Sequence, residues 1–172
     1  SRLNAELLLA EVLSCKRLNL YLQFDRPLSN DEVDRYREMV KRRANREPLQ
    51  YILGKVEFCG LDFQVSSSVL IPRPETEILV EEALKAINGA ESYTILEIGT
   101  GSGNICASLA KKHESVTVYS MDISSEALKV AEQNITYHGL GNKVTLLNED
   151  IFSASMDTIP ACNMVISNPP YV

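Results

Sequence analysis

Near its end the sequence reads Asn168-Pro169-Pro170-Tyr171, directly after the apolar run Asn163-Met164-Val165-Ile166-Ser167. Two prolines have no N–H to donate and stiffen the turn, leaving carbonyl oxygens as acceptors. Asn168 adds a side-chain carbonyl. Two acceptors aimed at one NH₂ group, with the Tyr171 ring stacked on a flat substrate, make a site for a planar amide or an aromatic amine. Such nitrogens share their lone pair with a π system and are poor nucleophiles, so orienting one towards an electrophile is the main service required. Acceptors on both N–H bonds also favour the charge that develops on nitrogen as it reacts. A proline turn after a strand is also common punctuation, so the motif is weighed with its companions.

The first companion is Glu97-Ile98-Gly99-Thr100-Gly101-Ser102-Gly103, between an apolar strand and a helix. Glycines there let the backbone turn sharply and approach a ligand closely at a helix N-terminus, although a tight turn alone would use them too. The second is Asp122, 19 residues after Gly103, at the end of Val116-Thr117-Val118-Tyr119-Ser120-Met121. An acid at that place accepts from both ribose hydroxyls of a nucleoside; its plainer use is to cap the helix beginning near Ser124. A third acid, Asp150, follows the next strand in Asn148-Glu149-Asp150-Ile151-Phe152.

Alternating elements must position these residues. From Glu75 the pattern predicts helix 75–88, stopped by Gly89, with Ile78, Leu79, Ala83 and Ile87 inward. Strands are predicted at 94–98, 116–121, 143–147 and 163–167, and helices near 104–112 and 124–138, the latter opened by Ser124 and closed by Gly139. Strands alternating with helices imply an α/β domain with a parallel sheet. Ahead of it, Leu3, Leu7, Leu8 and Val12 space a helix over 3–14. Ser29-Asn30-Asp31-Glu32 has the form of a capping box, opening a helix with Val33, Tyr36, Val40 and Ala44 on one face. Val56, Phe58, Leu61, Phe63 and Val65 alternate around Cys59-Gly60, a β-hairpin pattern. The expected organisation is a helical domain over 1–48, a hairpin connector over 49–68 and the α/β domain over 69–172.

A dinucleotide fingerprint would place its third glycine where Asn104 stands, so that register fails. The spacing Glu-x-Gly-x-Gly-x-Gly instead resembles the S-adenosylmethionine-binding turn of class I methyltransferases. Together with Asn-Pro-Pro-Tyr, the chain resembles the HemK/PrmC-type protein-(glutamine-N5) methyltransferases. Glu47-Pro48-Leu49-Gln50-Tyr51-Ile52-Leu53-Gly54 and Val69-Leu70-Ile71-Pro72-Arg73-Pro74-Glu75-Thr76-Glu77 separate it from Asn-Pro-Pro-Tyr enzymes that methylate nucleobases. The resemblance implies a class I Rossmann-like sheet and methylation of the glutamine in the Gly-Gly-Gln loop of peptide-chain release factors. It implies that Gly99, Thr100, Gly101, Ser102, Gly103 and Asp122 bind S-adenosylmethionine, with Asp150 and Ile151 at the adenine. Asn168 and Pro169 would hold the glutamine amide, with Pro170, Tyr171 and Arg73 beside the substrate and Asn168 also touching the cofactor. The helical domain would help dock the release factor. No metal and no covalent enzyme intermediate are expected.

The family continues past Asn-Pro-Pro-Tyr and usually begins with a further helix, so both ends are expected to be missing. That would leave 163–167 as an exposed apolar sheet edge open to self-association. Two other functions use part of the pattern: an N6-adenine methyltransferase of nucleic acid, and a nonenzymatic adaptor with a vestigial pocket.

Composition narrows these. The chain of 172 residues is 45% hydrophobic and 23% charged, an ordinary globular balance. Its net charge of −6 divides into +2 over 1–48 and −8 over 49–172. An acidic second part argues against a broad nucleic-acid surface. The cations Lys41, Arg42, Arg43 and Arg46 end a helix, where they complement its dipole. No apolar run approaches the roughly 18 residues that span a bilayer, and no secretory signal is visible. Cys15, Cys59, Cys106 and Cys162 lie far apart with neither histidine nearby in zinc spacing, so reduced thiols in a cytoplasmic protein are expected.

Overall fold

The strand and helix periods of the sequence recur in a computed structural model that describes residues 1–87, 92–154 and 159–169. The chain divides into two compact units, Ser1–Gly54 and Lys55–Val172.

The first unit holds α1 (Arg2–Val12), α2 (Asn19–Leu22), α3 (Asn30–Ala44) and α4 (Leu49–Leu53). Leu8, Ala10 and Val12 of α1 are buried. The capping box of α3 is complete: Ser29 Oγ accepts from the Glu32 N–H, and the Glu32 carboxylate accepts from the Ser29 N–H at 2.8 Å. Its predicted inner face is only partly covered, with Val33 and Tyr36 half-buried and Val40 exposed. Tyr36 donates to the Ala5 carbonyl and so ties α3 to α1. In the basic cluster, Arg42 pairs with Glu47 and Arg43 donates to the Glu47 carbonyl, a structural use of two of its cations.

The second unit starts with β1 (Lys55–Phe58) and β2 (Leu61–Gln64), an antiparallel hairpin in which Val56 faces Phe63. The expected connector over 49–68 is corrected in two ways. Residues 49–53 are helical within the first unit, because Pro48 stands at the N-cap of α4 and opens it. The hairpin itself is core: Phe58 and Phe63 are buried with Val80, Ile95, Leu109 and Val118.

Among the described residues four parallel strands follow, β3 (Tyr93–Ile98), β4 (Val116–Met121), β5 (Val144–Leu147) and β6 (Met164–Ser167), in the spatial order β5-β4-β3-β6. Ahead of them stands α5 (Glu75–Ala86), while α6 (Asn104–Lys112) links β3 to β4 and α7 (Ser125–Tyr137) links β4 to β5. The buried stripe of this region is Thr76, Val80, Ala83 and Ile87, at helical spacing. Ile78, expected inward, is 60% exposed because it lies off that stripe. Gly89 and the end of the predicted helix 75–88 lie outside the described residues. From Ile105 to Ala110, α6 is buried all round, which its small residues Cys106, Ala107, Ser108 and Ala110 permit. Strand order runs one way from β3 to β5 and then reverses to β6, so the carboxyl ends of β3 and β6 flank a topological switch point. Among the described residues β6 is a sheet edge, and no helix is long and apolar enough to cross a membrane.

Candidate active site

The turn after β3 is shaped by glycine at alternate positions. Gly99, Gly101 and Gly103 have φ of +87°, +53° and +76°. Such values strain residues with a Cβ. A Cβ at Gly99 or Gly101 would meet no atom within 4 Å, and both glycines line a cavity of about 730 Å³. A side chain there would therefore enter the space of a ligand. Gly103 differs, because its absent side chain makes room for α7: a Cβ would lie 3.1 Å from that of Ala131.

Pairing of β3 with β4 brings the turn to Asp122. The Gly99 and Thr100 N–H groups donate to the Met121 carbonyl, at 2.8 and 3.1 Å. The two oxygens of Asp122 then accept separately, one from Gly101 N–H and one from Ser124 N–H, both at 2.9 Å. Thus Asp122 joins the glycine turn to the start of α7, where Ser124 is the N-cap. The sequence offered ribose recognition or capping for this acid. Its position allows both, since each carboxylate oxygen has a further lone pair and Asp122 lines the cavity.

Asp150, Ile151, Asn168 and Pro169 line the same cavity. Asp150 Oδ1 accepts from the Phe152 N–H, which turns the chain after β5. Asn148 donates to the Asp122 and Ile123 carbonyls and so closes that loop against the one after β4. Asn168 is set by pairing of Ile98 with Ser167 and by its Nδ2, which donates to Thr76 Oγ1 at 3.1 Å. Pro170 and Tyr171 lie outside the described residues.

The remaining predicted residues have other places. Thr100 and Ser102 are buried within the turn, 1% exposed, with side chains bonded to Ser120 and Asn104. Together with Arg73, Thr76 and Asn168 they border a smaller cavity of about 40 Å³. Arg73 is thus beside the glycine turn but does not line the larger cavity.

Several residues were missed by sequence reasoning. Ile123 and Phe152, 72% and 96% exposed, give the larger cavity apolar walls that suit a flat base. Their signal is an apolar residue beside a polar loop acid. Asn134 is fully buried in α7 and makes three bonds: it accepts from Gln64 N–H and donates to the Gln64 and Ser102 carbonyls. It locks the hairpin and the glycine turn to one helix. Glu97, fully buried as the penultimate residue of β3, accepts from Ser120 at 2.5 Å. Burial pushes its carboxyl up to about 7, against the hydrogen bonds from Ser120 and Cys106. Burial likewise raises the neighbouring Cys106 thiol, with Glu97 adding to the effect.

A parallel sheet that reverses order beside a glycine-rich turn, with an acid ending the next strand, is the architecture of a class I methyltransferase domain. Residues 74–172 match the methyltransferase small domain family, and the chain belongs to that family. Residues 1–54, the first compact unit, match the PrmC N-terminal domain. Over 172 residues the chain is 45% identical to the release factor glutamine methyltransferase of Geobacter sulfurreducens, covering 100% of this chain and 58% of that protein. To the protein of the same name in Chlorobaculum tepidum it is 40% identical over 178 residues, 99% of this chain and 60% of the relative. The chain thus spans about three fifths of the length of these curated relatives. The solved delta-N METTL16 MTase domain shares the fold, with a TM-score of 0.55 at 18% identity over 64% of this chain and 52% of that one.

Proposed function

We propose that this chain is the cofactor- and amide-binding part of an S-adenosylmethionine-dependent enzyme that methylates the glutamine of the Gly-Gly-Gln motif in peptide-chain release factors. One observation carries the reading: a single cavity is bordered by the glycine turn and Asp122 on one side and by Asn168 and Pro169 on the other. Cofactor and amide would then meet in one space. Similarity along this whole chain to about three fifths of proteins named release factor glutamine methyltransferase supports the substrate.

The residues fit the cofactor. A cavity of about 730 Å³ is large enough for a nucleoside with an amino-acid tail. Its glycine wall would be filled by any Cβ, its ribose partner would be Asp122, and Asp150 and Ile151 would border the adenine. Thr100, Ser102 and Gly103 serve the turn from inside. When bound, the cofactor supplies a methyl group on a sulfonium sulfur. The chain's own residues do the rest. The Asn168 carboxamide oxygen and the main-chain carbonyl beside Pro169 accept from the glutamine NH₂ and point its nitrogen at the methyl. They also favour the positive charge that builds on that nitrogen before its proton leaves to water. Tyr171 would pack on the amide plane, with Pro170 stiffening the turn and Arg73 near the substrate.

The acidic second part of the chain, at −8, does not favour the nucleic-acid reading. Four free cysteines are consistent with a reducing cytoplasm as the compartment. The PrmC-type helical unit is proposed to dock the release factor, and the β6 edge to permit self-association.

The test incubates the protein, with its natural termini, with S-adenosylmethionine and a release factor, and weighs the factor by intact mass spectrometry. One added methyl on the native factor and none on its Gln→Ala loop variant is expected. No transfer with cofactor binding intact refutes the substrate.

A further inference from the structure

An amide that must present its oxygen to a substrate has to leave its own NH₂ somewhere. In the proposed reaction Asn168 Oδ1 accepts from the glutamine NH₂, so Nδ2 faces away from it. On that far side Nδ2 donates to Thr76 Oγ1, at 3.1 Å. Thr76 is 8% exposed, in the first turn of α5, and belongs to the buried stripe that packs this helix on the sheet. A threonine is an odd choice for that stripe, since the three other positions, Val80, Ala83 and Ile87, are apolar.

We infer that Thr76 is a positioning residue, whose hydroxyl oxygen holds Asn168 with its carbonyl turned to the substrate amide. The terminal torsion of asparagine is broad and roughly two-fold, so the backbone alone does not choose which end faces the cavity. β-Pairing of Ile98 with Ser167, reinforced by Ser167 Oγ donating to the Ile98 carbonyl at 2.8 Å, sets where the Asn168 backbone lies. The acceptor on α5 then makes the productive orientation the satisfied one. Without it, the orientation that serves the substrate with Oδ1 loses the Thr76 bond that favours it, a loss felt most as the nitrogen gains charge. Thr76 does not line the larger cavity. It acts through Asn168.

The inference rests on the proposed reaction, and the experiment separates the two. Thr76→Val keeps the shape and removes the acceptor, whereas Thr76→Ser keeps the acceptor. In the protein with its natural termini, Thr76→Val is expected to lower kcat by about 10- to 100-fold, the fold-change equivalent of one lost acceptor. Cofactor affinity by titration and the thermal midpoint should stay at the wild-type values. Thr76→Ser should restore most of kcat, and Thr76→Val in an Asn168→Ala background should cause no further loss. A second measurement needs no turnover: exchange of the Asn168 Nδ2 protons, followed by NMR, should be faster in Thr76→Val than in wild type. Unchanged kcat in an active Thr76→Val enzyme, or a loss that Ser fails to restore, overturns the inference. If wild type transfers no methyl, the reaction is refuted. The exchange measurement then decides whether Thr76 orients Asn168, and unchanged exchange overturns the positioning role outright.

Discussion

Glu97→Gln should stabilise the protein in a pH-dependent way. The carboxyl is fully buried in β3 and its pKa is raised from 4.5 to about 7, burial being the main cause. Between those values the unfolded chain has released a proton that the folded protein keeps. The folded state then binds more protons, so stability falls as pH rises through this window. Below 4.5 both states are protonated and nothing is lost; above 7 both are ionised and the loss is complete. At about 1.4 kcal/mol per pH unit, the span from 4.5 to about 7 costs about 3 kcal/mol. Glutamine has no such titration, and any packing offset it introduces is independent of pH. Urea unfolding of both proteins from pH 4 to 8.5, followed by circular dichroism because the chain has no Trp, gives the difference in stability directly. That difference should rise in favour of the variant by about 3 kcal/mol across the window and level off above it. A flat difference would mean that Glu97 titrates in its ordinary range, and the account of its burial would be wrong.

Asp122→Asn places an amide NH₂ against one of two N–H donors, Gly101 or Ser124, and should weaken S-adenosylmethionine binding by about 10- to 100-fold in calorimetric titration. Wild-type affinity in that variant would remove Asp122 from the cofactor site. Asn134→Ala strands the Gln64 N–H and two carbonyls in the interior, so urea unfolding should report a loss of about 3 kcal/mol. A loss below 1 kcal/mol would show that relaxation or water satisfies them. Val165 is 61% exposed on the edge strand β6, and the 172-residue chain is expected to sediment as oligomers at micromolar concentration, with Val165→Lys shifting it to monomer. A monomeric wild-type chain would exclude edge pairing.

The parallel sheet was legible because its strands are short apolar runs ended by polar or glycine residues. Strand 116–121 is found at its predicted bounds and the other three within a residue. The α3 cap and the Ser124 cap are likewise local chemistry, visible as spacing. What escaped was long-range. The role of the hairpin depends on Phe58 and Phe63 reaching a core whose other members lie up to about a hundred residues away in the chain. Sequence pattern sees their alternation but not their destination. Ile78 is apolar yet exposed, because the true stripe begins with polar Thr76. In the site, glycine spacing and Asp122 were readable because each needs only its own loop. The partners that hold the turn, Asn134 and Ser120, and the one that holds Asn168, Thr76, are ordinary polar residues in periodic segments. Only their burial distinguishes them.

The two sides of the cavity are held by different parts of the second unit, and this gives the proposed chemistry a separable design. Glycine turn and Asp122 are fixed by β3 and β4 pairing and by α7, through bonds from Gly99, Thr100, Gly101 and Ser124. Asn168 is fixed by β6 and by α5, through Ile98–Ser167 pairing and Thr76. A change on the first side alters how well a cofactor is seated before any substrate arrives. One on the second, made at Thr76 outside the cavity lining, is expected to alter mainly how a nitrogen is aimed. Asp122 and Thr76 variants should therefore separate into losses of cofactor affinity and losses of turnover, with little interaction between them in the double variant. Strong coupling would mean that the shared element, β3, transmits a shift from one side to the other, and that the cavity is assembled as one piece.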